Sequence, residues 1–181
     1  MNIKNGDSAV LVIIDLQEKL MRVMPDRETV VNNTLILMEL ARQFDIPVIV
    51  TEQYPKGLGP TLAEIKDKLK DHLLLEKITF SAGQDLIENL RKLGRNQIIV
   101  AGSETHVCVF QTVRDLLAND FAVQVPKDAV CSRRILNYEN GLDLMKEKGA
   151  VITNTETLVF EVLYQAGTPE FKVMSPLIKN G

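Results

Sequence analysis

The chain has 181 residues, 45% hydrophobic and 25% charged, with a formal net charge of −3. That length suits one ordinary domain with a substantial core, and the composition is that of a globular protein. The acidic balance argues against a nucleic-acid or anionic-membrane partner.

From the N-terminus, Met1–Asp7 is polar and the apolar run Ala9–Ile14 is too short for a leader or a membrane span. Ala9–Asp15 reads as a buried strand, Asp26–Phe44 as a helix with Asp26 as N-cap and Glu28 in its first turn, and Pro47–Thr51 as a second strand. A helical pattern at Thr61–Lys70 precedes a strand at Leu73–Lys77. A helix at Asp85–Leu93 then closes on Gly94, a C-cap residue. The strand Gln97–Gly102 leads into a helical pattern at Val107–Asn119. Phe121–Val125 and Val151–Thr153 read as strands around a helix at Asn137–Lys148, and a helix at Thr157–Leu163 follows. The alternation predicts a single domain over residues 1–181. Its architecture is a three-layer α/β/α sandwich, Rossmann-like, on a mostly parallel six-stranded sheet.

Ligands bind such sheets at the C-terminal edge of the strands. That edge gathers Asp15, the segment Thr51–Pro60, Lys77 and the turn Gly102–Cys108, with Lys127-Asp128 farther out. Cys108 falls at the start of a helix, where backbone N–H groups and the dipole favour a thiolate. Asp15 suits a base that takes the thiol proton, and Lys77 a cation that favours the thiolate and holds the carboxylate. Each also has a plainer role: Asp15 as a loop cap, Lys77 as a solvated strand end, Cys108 as a core thiol. A dinucleotide site is set aside, because Asp15-Leu16-Gln17-Glu18-Lys19-Leu20 carries no glycine fingerprint. The two cysteines, Cys108 and Cys131, point to a reducing compartment and free thiols, hence the cytoplasm.

Three segments carry a resemblance: Val12-Ile13-Ile14-Asp15-Leu16-Gln17, Lys77-Ile78-Thr79-Phe80-Ser81-Ala82, and Ile99-Val100-Ala101-Gly102-Ser103-Glu104-Thr105-His106-Val107-Cys108-Val109. In that order they resemble the isochorismatase-like cysteine hydrolase superfamily, over nearly the whole chain. Thr51–Thr61, Glu104-Thr105-His106 and Pro169-Glu170-Phe171-Lys172 further resemble its isochorismatase domain-containing subgroup. The resemblance implies a catalytic triad of Asp15, Lys77 and Cys108 and a cis peptide at Ser103–Glu104. It also implies an oxyanion hole from the backbone N–H groups of Glu104 and Cys108, and a homo-oligomer, dimer or larger. The activity it implies is hydrolysis of a small amide, ureide or carbamoyl C–N bond through a thioester. The alternatives are a non-enzymatic interaction protein with a vestigial site, or vinyl ether hydrolysis.

Nicotinamidases of that superfamily place Asp and His metal ligands after the second strand. Glu52–Pro60 contains no histidine, and the chain has only His72 and His106, so no metal and no cofactor is expected. Gln17, Tyr54, Phe80 and His106 are candidates to line a small-molecule pocket; for Tyr54 and Phe80 core packing is the alternative, and for His106 fixing the turn. His72 reads as a surface residue and Cys131 as a packed small one. Arg133 and Arg134 read as solvated, or as contacts for an anionic substrate or a neighbouring subunit.

Overall fold

Six consecutive apolar residues, Ala9–Ile14, form β1 and are all buried, as a central parallel strand requires. The computed structural model describes Ile3 and residues 6–179. Around β1 run β2 (Val48–Gln53), β3 (His72–Lys77), β4 (Gln97–Ser103), β5 (Ala122–Pro126), β6 (Val130–Cys131) and β7 (Val151–Thr153). The sheet order is β3-β2-β1-β4-β5-β7, with β6 paired to β4, and every strand pairing is parallel. The expected six strands are therefore present, with β6 added to them. The chain moves outward from β1 through β2 to β3, then returns to β4 on the other side of β1. The carboxyl ends of β1 and β4 thus flank the topological switch point, where α/β sheets open a crevice.

Helices cover both faces. Alternate residues of β1 point to opposite layers: Ala9, Leu11 and Ile13 pack with α2 (Arg27–Gln43), α8 (Thr155–Leu163) and α9 (Pro169–Lys179). Val10, Val12 and Ile14 pack with α5 (Gly83–Leu93), α6 (Phe110–Leu117) and α7 (Ile135–Glu147). Gly94 ends α5 in the left-handed region, at φ 65°, its N–H bonded to the Arg91 carbonyl. Asp26 occupies the N-cap of α2 but its side chain makes no capping hydrogen bond.

Three short helices complete the fold: α1 (Glu18–Met21), α3 (Pro55–Leu58) and α4 (Ala63–Lys66). The helix expected over Thr61–Lys70 is confined to α4 because Thr61 is taken by an antiparallel bridge to Gln17. Its N–H and hydroxyl also donate to Glu52 Oε1, at 2.7 and 2.8 Å. Long-range pairing at one residue outweighs local helical periodicity. Among the described residues, no helix is long and apolar enough to cross a membrane.

Candidate active site

The ends of β1 and β4 come together because both sequences permit it. Gly102 has φ +143°, and a Cβ there would lie 2.2 Å from the Ile14 carbonyl oxygen, so only glycine fits. Asp15 leaves β1 with φ 50°, a left-handed conformation that aspartate tolerates at about 1 kcal/mol. Its carbonyl accepts from Ser103 Oγ at 2.8 Å, which ties the two strand ends. The Ser103–Glu104 peptide is cis.

Asp15 is fully buried and fully engaged. Its Oδ1 accepts from Thr51 Oγ1 at 2.7 Å, and its Oδ2 from Lys77 Nζ at 2.6 Å. Lys77 ends β3 with its ammonium also donating to Gln53 Oε1 at 2.8 Å and to the Phe80 carbonyl at 2.9 Å. The plain reading of Lys77 as a solvated strand end is excluded by its burial. Gln53 is the residue that sequence reasoning missed; its register opposite Lys77 on β2 is the signal that places it there.

Cys108 sits in a π-helical turn, Thr105–Val109, that precedes α6, and its thiol lies close enough to Asp15 and Lys77 for both charges to act on it. The structure thus gathers Asp15, Lys77 and Cys108 around one carboxylate. Burial pushes the Asp15 carboxyl above its ordinary value, against the pull of Lys77, Thr51 and Cys108. Burial and then the Asp15 charge push the Cys108 thiol up to about 12, while Lys77 and the Glu104 N–H offset only part of this. The expectation of a thiolate favoured by the helix start is therefore corrected. Desolvation is what residue identity alone could not weigh.

The remaining candidates divide. Gln17 is fully buried; its Nε2 donates to the carbonyls of Gln53 (3.1 Å) and Gly59 (2.6 Å), and its Oε1 accepts from Gln53 N–H (2.8 Å). Its amide braces the loop after β2, so it is no pocket wall. Lys19 Nζ adds a bond to the Gly57 carbonyl at 2.7 Å. Tyr54 and Phe80 are exposed, 51% and 55%, beside the Lys77 end of β3, which removes the core-packing alternative. His106 is half-buried, its Nδ1 3.0 Å from Ser132 Oγ. Arg133 is not free: its Nε and Nη2 donate to the two carboxylate oxygens of Glu104 at 2.6 and 3.3 Å. Asp128 caps α8 through the Thr155 N–H and hydroxyl. Cys131 is fully buried, and burial pushes its thiol up to about 12. Among the described residues, no group of three His, Cys, Asp or Glu side chains is placed to hold a metal ion, so the donor set of a metal-using relative is not assembled here.

The isochorismatase domain model matches residues 9–157, most of the chain. The chain belongs to the isochorismatase family. The secreted isochorismatase effector Isc1 of Phytophthora sojae (strain P6497) is 36% identical to this chain over 181 residues, covering 96% of this chain and 85% of that one. The isochorismatase domain-containing protein 2 of Rattus norvegicus is 32% identical, covering 96% and 82%. Among solved structures, the MAR1 ribonuclease of Caenorhabditis elegans superposes with a TM-score of 0.93 at 33% identity, covering 99% of this chain and 93% of that one. Family and fold together make the chain a member of a hydrolase superfamily.

Proposed function

We propose that the chain is a cysteine hydrolase that cleaves a small amide, ureide or carbamoyl C–N bond through a thioester. The observation that supports this reading is the buried Asp15 carboxylate, which accepts from Lys77 at 2.6 Å and whose charge acts on the neighbouring Cys108 thiol. A thiol pushed up to about 12 attacks only if its proton leaves as the bond forms. Asp15, its carboxyl raised by burial, is a strengthened base in position to take that proton.

In the first half-reaction, Cys108 Sγ bonds to the carbonyl carbon and its proton passes to Asp15. The backbone N–H groups of Glu104 and Cys108 are then assigned to the tetrahedral oxyanion, a role supported by the influence of the Glu104 N–H on the same sulfur. Collapse breaks the C–N bond, and Asp15 returns the proton to the leaving nitrogen. In the second half-reaction, Asp15 takes a proton from water as its oxygen attacks the thioester, and the thiol is restored as the acid leaves. Lys77 keeps Asp15 in place throughout.

A small neutral substrate suits this site better than a polynucleotide. RNA cleavage, named for the nematode relative, calls for cations aligned on phosphates, whereas this chain carries a net charge of −3 and Lys77 is committed to Asp15. Self-association completes the reading: Ile78 and Phe80 after β3, and Ile135 and Leu136 at the start of α7, are 55–75% exposed. Two free, buried thiols fit a reducing, cytoplasmic setting. The test is ammonia or amine release from a panel of small amides, ureides and carbamoyl compounds, with mass spectrometry of the protein for the acyl-Cys108 adduct. Folded Cys108→Ala should lose turnover by at least about 10³-fold. Undiminished turnover by that variant would rule out the thioester route, and release from no compound in the panel would favour a vestigial site.

A further inference from the structure

We propose that Arg133 and Ser132 are positioning residues: they clamp the turn bearing Cys108 by gripping the side chains of Glu104 and His106. This rests on Cys108 being the reactive thiol of the site.

The clamp grows out of the sheet. β6 pairs with the end of β4 at Gly102↔Val130 and Ser103↔Cys131, so the residues that follow each strand leave side by side. The parallel register continues as side-chain contacts. Arg133 Nε and Nη2 donate to Glu104 Oε1 and Oε2, at 2.6 and 3.3 Å. Ser132 Oγ lies 3.0 Å from His106 Nδ1. Side chains on either side of Thr105 are thereby held by two consecutive residues of one loop.

Glu104 is the point through which the clamp acts. Its carbonyl accepts from Val107 N–H at 3.0 Å and Val109 N–H at 3.2 Å, closing the π-helical turn. Its backbone N–H lies near enough to the Cys108 sulfur to favour the thiolate. Its carboxylate is bound by Arg133, whose own side chain is 57% exposed against 11% for Glu104. The guanidinium therefore holds a largely buried carboxylate in place from the solvent side. Without it, that carboxylate is drawn outward toward water, carrying with it the peptide whose N–H faces the sulfur. Arg133 is also charge-compensated, so it is not poised as a free anion receptor.

The test uses Arg133→Gln, Arg133→Lys, Ser132→Ala, Glu104→Gln and the double variant Glu104→Gln/Arg133→Gln. Cys108 alkylation by neutral iodoacetamide is followed by peptide-resolved mass spectrometry, which needs no knowledge of the substrate. Arg133→Gln should slow alkylation about tenfold, and cut kcat by up to about 10²-fold at little changed KM once a substrate is in hand, because small misplacement of reacting groups is costly. Arg133→Lys should recover part of the rate, and Ser132→Ala should slow it about twofold to fivefold. The double variant should react no more slowly than Glu104→Gln alone, since Arg133 acts only through that carboxylate. Melting temperatures should stay within about 4 °C of wild type, the shift expected for losing a half-exposed ion pair.

Wild-type alkylation in Arg133→Gln would overturn the proposal, as would additive effects in the double variant. A raised KM with kcat and alkylation unchanged would instead make Arg133 a substrate contact. If no amide-type substrate is ever found, the hydrolase reading fails alone, because the alkylation cycle still reports on the clamp.

Discussion

Lys77→Met removes the ammonium and keeps most of the stem volume, which isolates the charge. In the native protein the Lys77 and Asp15 side chains are 6% and 0% exposed, with Nζ and Oδ2 2.6 Å apart. Breaking one half of so buried a pair typically costs 3–5 kcal/mol, so a loss of about 4 kcal/mol is expected near neutral pH. The cost depends on pH with a definite sign. Burial already raises the Asp15 carboxyl above its ordinary value with Lys77 present, and removal of Lys77 takes away its largest opposing influence. A carboxyl whose folded value exceeds its unfolded one stabilises the fold fully at acid pH, and that contribution is lost as pH rises through the folded value. The deficit of Lys77→Met should therefore shrink toward about pH 5 and be largest near about pH 8. Urea denaturation of both proteins across that range measures it, and Asp15→Asn/Lys77→Met should recover much of the loss because no buried charge is left alone. Cys108 alkylation should be slower in Lys77→Met, since the ammonium is the main influence lowering its thiol. A deficit under about 1 kcal/mol, or one that does not vary with pH, would refute the buried-charge reasoning.

Gly141→Ala places a Cβ 2.9 Å from His106 Cα and N and the Thr105 carbonyl carbon, all backbone atoms. It should cost about 1–3 kcal/mol in urea melts and at least tenfold in turnover, as the Cys108 turn is pushed out of place. Dialysis against a chelator should leave turnover and melting temperature unchanged; a loss restored by zinc, iron or manganese would contradict this. Above about pH 9, stability should fall by up to about 1.4 kcal/mol per pH unit for each buried thiol, because the folded protein keeps protons that the unfolded chain gives up. Cys108 and Cys131 both rise from 9.0 to about 12, so Cys131→Ala should reduce that alkaline slope in denaturation curves measured between those limits.

Elements with sustained patterns were legible in the chain. The all-apolar run of β1, the β4-to-helix transition and the glycine after α5 each match their place in the structure. β6 was not, because Val130–Cys131 is too short to show any period and exists only through its pairing with β4. α9 was hidden by Pro176, which reads as a breaker yet lies inside the helix. At the site, the order of Asp15, Lys77 and Cys108 along the strands foretold their meeting at one sheet edge. Residues that act through contacts distant in sequence were less visible. Gln53 on Lys77 and Arg133 on Glu104 depend on strand register, and Gln17 became a brace because its amide meets the loop 42 positions away.

The loop from Tyr54 to Pro60 is attached like a cartridge. Gln17 holds its two ends at the carbonyls of Gln53 and Gly59, and Glu52 secures Thr61 just beyond it. These sockets lie outside the loop, whereas the strand ends bearing Asp15 and Gly102 are fused too closely to move apart. Reprogramming this scaffold for another substrate is therefore a matter of swapping the cartridge at constant length, with Gln17 and Glu52 retained and the reactive core passed on as one indivisible block.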